Sequence, residues 1–122
     1  MRTSIYLEGL AHKVPIPSCA RVGSLVMSGS IHGRDLSSGT IPDSPREQFQ
    51  LIFANAEAML KQAGGTLASV AFFQISVPDR ALRSELDPVW VEVFPSPDDR
   101  PARHVSAVPG GRIEARFTAF VE

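Results

Sequence analysis

Cysteine is nearly absent: Cys19 is the single one in 122 residues, which excludes an internal disulfide framework and any cysteine-based zinc cage. Histidine is almost as scarce. His12, His32 and His104 lie far apart and form no H-x-x-x-H pair, so no metal is expected. The chain has no Walker-type glycine loop, no G-x-G-x-x-G and no G-x-S-x-G elbow, so the familiar phosphate, dinucleotide and serine-hydrolase signatures are missing. Charge of one sign is lacking too. Twelve basic and thirteen acidic residues leave a formal charge of −1, without the basic excess that phosphate neutralisation requires, so no nucleic-acid partner is expected. No apolar run approaches the roughly 18–20 residues that span a bilayer, so no membrane partner is expected. The opening Met1-Arg2-Thr3-Ser4-Ile5-Tyr6 does not follow the basic-then-apolar order of a signal peptide, and a cytoplasmic protein is expected. The length suits one domain, residues 1–122, with enough chain to bury a core unaided. Ten of the twelve basic residues are arginine, a bias read as codon usage.

What is present is punctuated clearly. Ser44 as N-cap, Pro45 at the first helical position and Glu47 closing an S-x-x-E box predict a helix from Pro45 to Ala63. Phe49, Ile52, Phe53, Ala56, Met59, Leu60 and Ala63 give it one apolar stripe. Gly64-Gly65 ends it. Strict alternation of Ile113, Ala115, Phe117, Ala119 and Val121 with polar residues predicts a strand from Arg112 to Val121. The runs Leu25–Ile31 and Leu67–Val77 are apolar on both faces and are expected as central strands. Ser4–Leu7 reads as an edge strand and His104–Val108 as a short one. Asp87 reads as the N-cap of a short helix through Phe94 with Pro88 at its first position, and residues 80–86 as a separate helical turn. The order β-β-α-β-α-β-β gives an α+β sandwich of one sheet with two helices on one face. Large apolar groups remain for the other face, and a second copy of the chain is the expected cover.

Candidate chemistry gathers near the C-terminus, in Arg100-Pro101-Ala102-Arg103-His104-Val105, Pro109-Gly110-Gly111 and Arg112-Ile113-Glu114. If these segments pair as a hairpin, Arg103 and Glu114 become neighbours. A guanidinium fork suits a small carboxylic acid, and a nearby carboxylate can activate a water. On spacing alone the plainer alternative stands ahead: a surface arginine and an exposed ion pair worth under about 1 kcal/mol. Cys19 reads as buried filler rather than nucleophile.

These residues, with Val26-Met27-Ser28-Gly29-Ser30-Ile31, Gln48, Asn55, Ala63-Gly64-Gly65, Val70 to Asp79, Trp90 to Phe94 and above all Pro101-Ala102-Arg103, occur in the order seen in one family. From about Val22 to Ala119 the chain resembles the RidA (YjgF/YER057c) family of reactive-intermediate deaminases. The resemblance implies a chorismate-mutase-like α+β fold assembled as a homotrimer with ligand clefts between subunits. It implies cofactor-free hydrolysis of small enamine or imine acids such as 2-aminoacrylate to a 2-keto acid and ammonia. By position, Arg103 would hold the substrate carboxylate and Glu114 the attacking water. The backbone at His104 would bind the substrate, with Ser28, Gly29 and Asp87 as further binding residues. The chain departs from the family at Ser18, where a tyrosine is common, and at Asp87, where asparagine is common. His104 stands where a small residue is usual, adding bulk and a titratable group to the cleft, and the segment from Arg103 to Pro109 is about three residues shorter. Two further readings stand beside the general deaminase: a pathway-specific enzyme for an aminomuconate-like acid, and a non-catalytic trimer that binds 2-keto acids.

Overall fold

The computed structural model describes residues 1–9 and 15–122; His12 lies outside them. Among the described residues, strands β1 (Arg2–Ile5), β2 (Cys19–Val22), β3 (Leu25–Ser28) and β4 (Ile31–His32) precede helix α1 (Pro45–Gln62). Then follow β5 (Val70–Val77), helix α2 (Arg83–Val93), β6 (Ala102–Ala107) and β7 (Glu114–Phe120). They form one sheet in the order β1-β2-β3-β7-β5-β6, with β4 also pairing β7. Every pairing is antiparallel except β5–β6, the parallel pair bridged by α2.

The strong local signals build the frame. Ser44 Oγ accepts from the Glu47 amide at 3.3 Å, although no hydrogen bond returns from the Glu47 carboxylate. The helix closes when Gly64, at φ +91°, donates to Lys61 O and Gly65 donates to Leu60 O, the paired bonds of a Schellman turn. The α1 stripe packs on the inward residues of the sheet, Phe73, Ile75 and Val77 of β5 and Ala115, Phe117 and Ala119 of β7, all buried. Phe53 of α1 and Trp90 of α2 both stand edge-on to Phe73, so both helices cover the same face.

Three local expectations change, and one strand is added. The Leu25–Ile31 run is interrupted: β3 and β4 lie in line along β7, and between them Gly29 N donates to Ser18 O at 3.0 Å. Ser28 Oγ accepts the Phe117 amide at 2.9 Å, so a side chain supplies the ladder bond at the break. Leu67–Ser69 is a 3-10 turn, because Thr66 and Ser69 cap one another's backbone amides. Cys19–Val22 is a strand, joined to β3 by a two-residue turn with Gly23 at φ +59°. Helix α2 runs unbroken through Pro88, so Asp87 is not an N-cap. Pro88 removes one bond to the Ser84 carbonyl, and burial of Leu86, Val89 and Trp90 offsets it. The cap upstream is Asp79, which accepts from Ala81 N at 2.9 Å in a separate turn at Arg80–Leu82.

Candidate active site

Arg103 enters the sheet opposite Phe73, an inward residue, so its side chain projects toward the helix layer at the outer strand β6. There Nη2 donates to Asp87 Oδ1 at 2.7 Å, and Cζ sits 5.0 Å from the centre of the Trp90 ring. Asp87 and Trp90 are three apart on α2, one above the other on one face. The Arg103 side chain is 17% exposed. The aromatic face and the ion pair fix the plane of the guanidinium. Among the described residues that is its one hydrogen bond, which leaves Nε and Nη1 for a ligand.

Glu114 opens β7 on the other face of the sheet, in register with Ser76 and with His32. His32 Nε2 approaches Glu114 Oε2 at 3.2 Å. The hairpin expected between the segments of Arg103 and Glu114 is therefore absent. Strand β5 lies between β6 and β7. Arg103 aligns with Phe73 and Phe117 on the covered face, whereas Glu114 aligns with Ser76 and Ser106 on the open one. Within one chain the two functional groups point in opposite directions. His104 follows Arg103 on β6, so its exposed side chain lies on the opposite face from the guanidinium, in the row of Gln74 and Arg116.

The remaining candidates divide between these places. Asp87 stands with Arg103. Gly29 lines a cavity of about 580 Å³ with Pro17, Ser18, Ser30, His32 and Arg34, close to Glu114 through the His32 contact. Ser28 is committed to the Phe117 amide. Neither Trp90 nor His32 was expected as a site residue. The three-residue spacing from Asp87 to Trp90 was a readable signal once α2 was one helix. The His32–Glu114 contact needed a strand register that no local pattern specifies.

Among the described residues, no group of three or more His, Cys, Asp or Glu side chains is placed to hold a metal ion, and no helix is long and apolar enough to cross a membrane. Cys19 is buried, and burial pushes its thiol up to about 11. It should resist iodoacetamide at pH 8 in the native protein and alkylate only on denaturation, as read by mass spectrometry; rapid native labelling would contradict its burial.

The Endoribonuclease L-PSP family model matches residues 16–121, nearly the whole chain. The protein belongs to this YjgF/RidA family. Solved structures agree on the fold. RidA from the Antarctic bacterium Psychrobacter sp. PAMC 21119 superposes with a TM-score of 0.85 at 23% identity, covering 98% of this chain and 99% of its own. A probable translation initiation inhibitor from Rhodopseudomonas palustris gives 0.89 at 24% identity, over 99% and 98%. A YjgF/YER057c/UK114 family member from Mycobacterium tuberculosis gives 0.82 at 25%, over 99% and 100%. The YjgF/RidA match starts upstream of the resembling segment that begins at Val22 and takes in Pro17 and Ser18, which line the Gly29 cavity.

Proposed function

We propose that this YjgF/RidA protein is a cofactor-independent deaminase that hydrolyses small enamine or imine acids, such as 2-aminoacrylate, to a 2-keto acid and ammonia. The observation that carries the reading is Arg103: a largely sheltered guanidinium, held by Trp90 and Asp87, with two nitrogen positions unused at the edge of the sheet. Such a group suits a carboxylate. A formal charge of −1 favours a small acid over nucleic-acid phosphates.

The site is completed by assembly. Arg103 and Glu114 face opposite sides of one sheet, and the open side carries exposed Met27, Phe72 and Phe120. A homotrimer that packs the open face of one subunit against the β6 edge of the next would bring Glu114 of one subunit toward Arg103 of its neighbour. The enamine first takes a proton from water at carbon to become the iminium. Water then adds to the iminium carbon while Glu114 accepts its proton. The resulting carbinolamine collapses as Glu114 returns that proton to nitrogen and the hydroxyl proton passes to solvent, releasing ammonia and leaving the 2-keto acid.

The test is loss of 2-aminoacrylate, generated in situ by a serine or threonine dehydratase, in competition with semicarbazide. Wild type should accelerate the loss. Glu114→Gln should lose the acceleration yet keep thermal protection by 2-oxobutyrate. Protection without turnover in the wild type would replace the enzyme with a non-catalytic 2-keto-acid-binding trimer. Asp87 supports one narrower reading. Its carboxylate already holds one edge of Arg103, which weakens the pull on a simple monocarboxylate and favours a more elaborate acid of the aminomuconate type. Turnover confined to such an acid would establish it.

A further inference from the structure

Glu114 has a partner that the chemistry above does not use. His32 stands directly across from it in the β4–β7 pair, with Nε2 3.2 Å from Oε2. We propose that His32 is the positioning residue for Glu114: the polar contact of its Nε2 holds Oε2, leaving Oε1 as the oxygen that meets the attacking water. This rests on the reading of Glu114 as the water-orienting group.

Three features support it. First, β4 is only two residues long, yet its backbone is fixed from several sides. Asn55, a buried polar side chain of α1, donates Nδ2 to the carbonyls of both His32 and Arg34, at 3.2 and 2.9 Å. Gly33 lies so close to α1 that a Cβ there would come within 2.6 Å of Gln48 Cα. The imidazole is thus carried on a rigid support, the arrangement that a positioning role requires.

Second, His32 stands at a boundary between two openings. It lines the 580 Å³ cavity beside Ser18 and Gly29, and also a cleft of about 480 Å³ beside Gln48 and Arg112. Water or a small acid entering from either side meets the imidazole that contacts Glu114. Third, Glu114 is half-exposed and rotates about several bonds. A free carboxylate of that kind samples many rotamers, and a close polar contact to one oxygen selects among them and presents the other. The donor need only be an Nε2–H, which the neutral tautomer and the imidazolium both provide.

Steady-state kinetics on the assembled protein test this, with thermal melts of each variant. His32→Leu, which keeps volume but loses the donor, should lower kcat about tenfold or more while KM stays within about twofold. His32→Gln, whose amide nitrogen falls near the place of Nε2, should retain most of kcat. In a Glu114→Gln background, His32→Leu should cause no further loss, because its effect passes through that carboxylate. Wild-type kcat in His32→Leu, or the same fractional loss in both backgrounds, overturns the proposal and reduces His32 to a cross-strand contact. Full activity in Glu114→Gln alone, or an inactive wild type, overturns the reading of Glu114 and the proposal with it, and does so without any change at His32. Should His32→Leu unfold at the assay temperature, His32→Asn, whose amide is too short to reach Oε2, takes its place under the same criteria.

Discussion

Arg103→Ala is expected to abolish the accelerated loss of 2-aminoacrylate, by about a hundredfold or more in kcat/KM, while the protein remains folded. The truncation removes the fork that pairs with a carboxylate and so the orientation of the imine carbon relative to the water. It also leaves Asp87 facing the emptied position. A bound acid would then meet repulsion where it had met attraction, so KM and kcat should both suffer. Arg103→Lys is the informative companion. Lysine restores one positive charge but neither the two-pronged geometry nor the broad, delocalised cation over the Trp90 ring, and recovery should be partial at best. Arg103→Ala above about a tenth of wild-type turnover, with an unchanged melting temperature, would remove Arg103 from the site.

The largest expected loss of stability lies beneath that arginine. Phe73→Ala should destabilise the fold by about 3–5 kcal/mol and lower Tm by about 10–20 °C in calorimetry. Phe73 is fully buried at the middle of an aromatic cluster, its ring centre 5.3 Å from Phe53, 6.1 Å from Trp90 and Phe117 and 6.2 Å from Phe94. Four large rigid rings around one vacancy cannot all close on it. Trp90 should loosen with them, so whatever variant survives should bind 2-oxobutyrate more weakly. A fall in Tm below about 4 °C would show that the rings close the gap and that the cluster does not brace Arg103.

Helix α1 and strand β7 were legible because each carries its own punctuation: a cap, a stripe and a glycine pair in one, strict alternation in the other. Strand β2 was not read, although Val22-Gly23-Ser24-Leu25 has the glycine-first two-residue turn of a hairpin; four residues are too few to alternate convincingly. Pro88 argued for a break that tertiary burial of Trp90 and Val89 overrides. In the site, the residue types pointed to Arg103 and Glu114, but not to their placement on opposite faces. That depends on β7 slipping between β3 and β5, and strand order is a property of the whole sheet rather than of any segment. The His32–Glu114 contact was hidden for the same reason, since the two residues are neighbours only through β7.

The position of β7 also governs how the chain assembles as it is made. Among the described strands it comes last in the sequence, yet it sits in the middle, against β3, β4 and β5 at once. Until it leaves the ribosome, β1–β3 and β5–β6 are two half-sheets with exposed edges and no shared ladder, and the apolar stripe of α1 lacks half its floor. Closure is therefore a late, long-range event, and a nascent chain stalled before Glu114 presents two open strand edges to whatever it meets. Removing Glu114–Phe120 would take out the keel of the fold rather than its rim.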